Sequence, residues 1–141
     1  MNIREISPTY SVSPQILASD MAEIAQAGYK SVICNRPDAE HDPSEAMDVM
    51  SDAAQAEGLV WGANPFDAQS FDATKVEAQG ALIESLPKPI LAYCAVGARS
   101  AMAWAMSQAG TIPVDYILNQ TRMAGYMLDH MRPTLEHLAK R

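Results

Sequence analysis

The chain is 141 residues long, 48% hydrophobic and 19% charged, the balance of one folded domain and not of a disordered chain. Seventeen acidic against ten basic side chains give a net charge of −7, which disfavours a phosphate backbone as a partner. No apolar run approaches the ~20 residues of a membrane span, Met1-Asn2-Ile3-Arg4-Glu5 has no signal-peptide core, and two cysteines sixty positions apart make neither a disulfide framework nor a metal knuckle. The expectation is a single cytoplasmic domain over residues 1–141, with no metal or cofactor, no nucleic-acid or membrane partner, and an open oligomeric state.

Hydrophobic period and punctuation then divide the chain into alternating strands and helices. Thr9–Val12 reads as a first strand. Ser13-Pro14 reads as a cap followed by proline at the first helical position, opening a helix through Ile16, Leu17, Met21 and Ile24 that Gly28 ends. Ser31–Cys34 is a second strand leading into the polar stretch Asn35-Arg36-Pro37-Asp38-Ala39-Glu40-His41. Asp42-Pro43-Ser44-Glu45 has capping-box spacing before a helix with Met47, Met50 and Ala54 inward. Leu59–Ala63 is the third strand, and Asn64-Pro65 ends it. A loop through Asp67 leads to a helix over Thr74–Leu86, with Val76, Ile83 and Leu86 facing in. Pro87 and Pro89 bracket the turn into a fourth strand, Ile90–Tyr93. After Cys94-Ala95-Val96-Gly97-Ala98-Arg99-Ser100 come helices over Ala101–Ala109 and Pro113–Arg122, a short Ala124–His130 segment and a helix begun by Pro133.

Strands separated by helices imply parallel pairing, because parallel neighbours need a crossover. The expected fold is therefore α/β, a four-stranded parallel sheet flanked by helices. Ligands in such sheets bind beyond the carboxyl ends of the strands, where Cys34-Asn35-Arg36 and Cys94–Arg99 both lie.

A cysteine ends a buried strand here, with glycine three residues on and arginine five on at a helix start. Inward-turned N–H groups of Ala95, Val96, Gly97 and Ala98 can form an anion nest, to which the following helix adds its positive end. Those fields favour thiolate over thiol and make Cys94 a nucleophile. Gly97 supplies the φ freedom of a tight ring, and Arg99 can grip an oxyanion through two N–H groups.

The segments C-A-V-G-A-R-S, N-R-P-D-A-E, Y-S-V-S-P-Q and A-G-T-I-P-V-D-Y-I-L together resemble one bacterial family. It comprises small phosphatase-like sulfurtransferases, also found as the phosphatase-like domain of beta-lactamase hydrolase-like proteins. The resemblance implies a compact dual-specificity tyrosine phosphatase-like fold, a single phosphatase-like or rhodanese-like catalytic domain, and a nucleophile at Cys94. It further implies anion-binding backbone from Ala95 to Ala98, an anchoring Arg99 followed by Ser100 in the pocket, and Asn35 and Arg36 lining the same pocket. Tyrosine phosphatases place five residues between cysteine and arginine; here there are four, the loop length of rhodanese-type sulfurtransferases. Tyr93 stands where such phosphatases usually carry histidine, and Ala95 and Val96 are apolar where relatives commonly carry a basic or polar residue.

A phosphatase also needs a general acid for the leaving alkoxide, whereas a thiolate attacked by another sulfur does not. Asp67, Asp72 and Asp38 are candidates, each equally well explained as a loop or cap residue. The leading expectation is thus sulfur transfer, with Cys94 carrying sulfane sulfur from thiosulfate or a persulfide to a thiol or sulfite, and sulfurtransferase activity exceeding phosphatase activity. The alternatives are a phosphohydrolase acting through phosphocysteine on a small phosphorylated substrate, and a non-catalytic module that binds an anion or persulfide. Cys34 is a candidate resolving thiol, since the strands of the two cysteines are neighbours in the order the resemblance implies. Arg36 reads equally as a pocket residue and as a loop arginine paired with Asp38 or Glu40. His41, His130 and His137 lack metal-site spacing, and Met47, Met50, Met102, Met106, Met127 and Met131 read as core filler, with Trp104 a core anchor.

Overall fold

The computed structural model describes residues 1–40 and 42–140, so His41 lies outside the described residues. The sheet has five strands, β1 (Arg4–Ser7), β2 (Tyr10–Ser13), β3 (Ser31–Cys34), β4 (Val60–Ala63) and β5 (Ile90–Tyr93), in the order β1-β2-β5-β3-β4. The last four are mutually parallel, and β1 runs antiparallel to β2. The expected four-stranded parallel sheet is therefore corrected to a five-stranded mixed one. The extra strand is an edge strand in which only Ile6 is buried, so it lacks the near-continuous apolar run that marks β3 and β5.

The helices are α1 (Met21–Gln26), α2 (Met47–Ala56), α3 (Ala73–Ser85), α4 (Ala98–Gln108), α5 (Val114–Met123) and α6 (Arg132–Ala139). Strand alternation assigns them to two layers. Val32, Cys34, Leu91 and Tyr93 face α1 and α2, packing with Met21, Ile24, Met50 and Ala54. Tyr10, Val12, Ile33, Ile90 and Ala92 face the other layer, where Ile83, Trp104, Ile117 and Leu135 arrive from α3, α4, α5 and α6. Trp104 stacks on Tyr10 with ring centroids 6.2 Å apart, as a core anchor should. Met127, expected in the core, is instead 64% exposed.

Two helix starts differ from expectation for tertiary reasons. Ser13-Pro14 opens no helix, because the N–H of Gln15 bonds the carbonyl of Ala95 (3.3 Å), and the first turn, Ala18–Asp20, forms only after Asp20 accepts the Leu17 N–H (2.8 Å). The capping box at residues 42–45 is replaced by a single turn, Pro43–Glu45, and α2 is capped by Asp38, whose carboxylate accepts the Met47 N–H at 2.9 Å. Asp72 caps α3 by accepting the Lys75 N–H at 3.2 Å. Asp72→Ala should cost about 1 kcal/mol, read as a lower thermal midpoint, and Asp72→Asn should recover most of it. No helix among the described residues is long and apolar enough to cross a membrane.

Candidate active site

β5 lies between β2 and β3 in the middle of the sheet, and Cys94 follows it directly at the carboxyl edge, fully buried. The loop is stitched to the segment after β2: Cys94 N–H donates to Ser13 (3.4 Å), and Ala95 accepts from Gln15. Gly97 then turns with φ +93°, which a side chain rarely tolerates, and its N–H donates to the Cys94 sulfur at 3.1 Å. Helix α4 starts at Ala98, three residues earlier than the sequence pattern indicates, which places Arg99 in its first turn and brings the positive helix end against the loop.

Arg99 is held by three contacts. Nη1 and Nη2 donate to the two carboxylate oxygens of Glu40 (2.9 and 2.7 Å), and Nη1 also donates to the Phe66 carbonyl at 2.9 Å. The Glu40 carboxylate beside it, and then the field of Cys94, raise the basicity of Arg99, while Arg99 in turn holds the Glu40 carboxyl below its usual range. Arg36 braces the same corner: Nη1 donates to the Gln15 side chain (3.0 Å), Nη2 to the Glu40 carbonyl (2.8 Å), and Nε lies 3.5 Å from Glu40 Oε1. Arg36 therefore links the β3 loop to the residue that holds Ala95.

Asn35 and Ser100 stand behind the loop. Ser100 Oγ donates to Asn35 Oδ1 at 2.9 Å, and the Asn35 amide donates to the Asn64 carbonyl (2.9 Å) and to Gln79 (2.8 Å). Gln79 also binds Asn64 and the Tyr10 hydroxyl, and that hydroxyl donates to the Ser100 carbonyl at 2.9 Å. All five residues are buried. Gln79 was legible in principle, as a polar residue on the inward stripe of α3 between Val76 and Ile83.

Cys34 is level with Tyr93 in the β3–β5 register, not with Cys94. The one-residue offset means that the two cysteines do not end their strands level, and Cys34 packs into the α1–α2 layer. There its thiol donates to the Arg36 carbonyl at 3.3 Å, and burial pushes its ionisation up. Of the three candidate acids, Asp72 and Asp38 cap helices, whereas Asp67 follows Phe66, the residue whose carbonyl holds Arg99. The Asp67 carboxylate accepts the Ser70 N–H (2.9 Å) and the Gln69 N–H (3.0 Å). Those bonds, Ser70 foremost, hold it below the ordinary range, with a small added effect of Arg99.

Three residues near the loop escaped the sequence pattern: Glu40 as the partner of Arg99, Gln15 as the brace of Ala95, and Tyr126, whose hydroxyl donates to the Val96 carbonyl at 3.4 Å. His130 and His137 are exposed, and no metal-binding cluster of His, Cys, Asp or Glu occurs among the described residues.

Comparison with known proteins agrees with this geometry. Residues 2–111 match the family model of the beta-lactamase hydrolase-like protein, phosphatase-like domain. The beta-lactamase hydrolase-like protein of Xylella fastidiosa is 28% identical over 108 residues, 77% of this chain and 25% of that protein, so the chain spans about a quarter of the curated relative's length. A crystal structure from Neisseria meningitidis, of a protein provisionally assigned as a phosphatase, superposes with a TM-score of 0.83 at 31% identity, covering 98% of this chain and 99% of that one. Tk-PTP in its active form shares the fold, with a TM-score of 0.77 at 17% identity over 99% of this chain and 97% of that one. These descriptions favour the phosphatase alternative over the sulfur transfer that the sequence pattern placed first. With its thiol loop at the centre of a phosphatase-like sheet and a match across most of its length, the chain belongs to the family of the beta-lactamase hydrolase-like protein phosphatase-like domain.

Proposed function

We propose that the protein is a cysteine-dependent hydrolase of phosphate monoesters. What supports this reading is the Cys94 loop at the centre of a sheet shared with phosphatase-like structures, with Arg99 in the first turn of α4; we assign the acid step to Asp67, which follows the Phe66 carbonyl that holds Arg99. The Cys94 thiolate attacks phosphorus, forming an S–P bond as the P–O bond to the leaving group breaks. Asp67 gives its proton to the departing oxygen, and water then cleaves the phosphocysteine to release inorganic phosphate and restore the thiolate. Arg99, exchanging Glu40 for substrate, and the N–H groups of residues 95–98 balance the charge on the non-bridging oxygens.

A carboxyl held below its ordinary range is protonated only in acid. Turnover of an aryl phosphate should therefore rise as pH falls from neutral, and Asp67→Asn should flatten that rise and lower the rate about a hundredfold. A pH profile rising toward alkali, or an Asp67→Asn variant at full activity, removes Asp67 from the mechanism.

Sulfur transfer is the second reading, favoured by the four residues between Cys94 and Arg99. In that case the thiolate attacks the outer sulfur of thiosulfate, sulfite leaves, and an acceptor thiol or cyanide takes the sulfur from the Cys94 persulfide. Parallel assays with an aryl phosphate and with thiosulfate plus cyanide decide between them. Phosphate release supports the hydrolase, and thiocyanate formation without phosphate release replaces it with the transferase.

A further inference from the structure

Tyr126 belongs to a segment beyond residue 111, where the family match ends, yet its phenol covers the Cys94 loop. Its hydroxyl donates to the Val96 carbonyl, and the Gly97 N–H donates to the Cys94 sulfur. Those two groups are the ends of a single peptide unit, planar and trans, so its C=O and N–H point in opposite directions. Whatever holds the carbonyl toward Tyr126 also aims the N–H at the sulfur. The phenol packs closely as well: a Cβ on Gly97 would run into the hydroxyl and its ring carbon. Gly97 has the conformational freedom to let this peptide rotate, and rotation would turn a carbonyl oxygen toward the sulfur in place of the N–H donor.

We propose that Tyr126 is a positioning residue, which locks the Val96–Gly97 peptide in the orientation that stabilises the Cys94 thiolate. Its own placement is braced: Tyr126 N–H donates to the Thr121 carbonyl (2.8 Å), and Arg4 Nη1 holds the Ala124 carbonyl (3.1 Å). Partial burial keeps the phenol protonated, in the form that donates. The inference rests on Cys94 acting as a thiolate nucleophile, which both the hydrolase and the transferase require.

The test is thiolate absorbance at 240 nm across pH 5–9 on the full chain, each protein corrected by its own Cys94→Ser counterpart. Tyr126→Ala should move the Cys94 transition upward by about one pH unit, a tenfold loss of thiolate on the rising limb, as expected when a charge-assisted hydrogen bond is lost. Tyr126→Phe keeps the packing and loses only the hydroxyl bond, so its shift should be about a third of a unit, and it carries the test if the alanine variant fails to fold by thermal melting. A residue that merely fills space would lower the melting temperature without moving the titration. Wild-type and Tyr126 curves that superimpose overturn this inference alone. A wild-type protein with no Cys94 thiolate below pH ~8.5, the ordinary cysteine value, overturns the nucleophile and the inference together.

Discussion

Cys94→Ser should abolish turnover of both an aryl phosphate and thiosulfate, a loss of at least about a thousandfold. A serine hydroxyl is far less acidic than a thiol, and the Gly97 N–H and the start of α4, which stabilise a thiolate, do not make it a comparable nucleophile. The histidines described, His130 and His137, lie exposed on the segment before α6 and on α6 itself, not at the loop. Replacing sulfur by oxygen shrinks a fully buried side chain only slightly, so the thermal midpoint should stay close to that of the parent protein. Stopped-time product assays on the two substrates measure the outcome, and residual activity above a thousandth of the parent rate would place the nucleophile elsewhere.

Asn35→Leu should destabilise the fold by about 3 kcal/mol, because it strands several buried partners at once. The Asn64 carbonyl and the Ser100 hydroxyl each lose a bond, and Gln79 loses both of its contacts with Asn35. Urea unfolding of the parent, Asn35→Leu, Gln79→Leu and the double variant measures this directly. The two sites share bonds, so the second substitution should cost clearly less than the first. Strict additivity would mean that the amides act independently. Activity should fall as well, because Ser100 belongs to the first turn of α4 and lies next to Arg99.

Local chemistry was legible where it is local in the chain. Cys94, Gly97 and Arg99 fall within six residues, and strands β2, β3 and β5 are buried on both faces. Edge strand β1 carries one buried apolar residue and no pattern. Pro14 and the Asp42–Glu45 spacing obey helix-start rules, but a tertiary bond to Ala95 and a more distant carboxylate, Asp38, decide those two starts. The adjacency of β3 and β5 was legible through family resemblance, while the one-residue register offset that separates Cys34 from Cys94 is set by pairing across the sheet. Glu40 meets Arg99 across 59 positions, and no spacing rule connects such residues.

The brace on Tyr126 has a consequence for the order in which the molecule is completed. Arg4 reaches Ala124 across 120 positions, and Gln120 reaches the Ile6 carbonyl across 114, so β1 and the segment after α5 depend on each other. Bringing such distant segments together costs loop-closure entropy that is recovered only when both are present. A chain emerging residue by residue from the ribosome has made Cys94 and Arg99 well before Tyr126 exists to cover them. Until then the Val96 carbonyl lacks the hydroxyl bond that Tyr126 gives it in the finished fold.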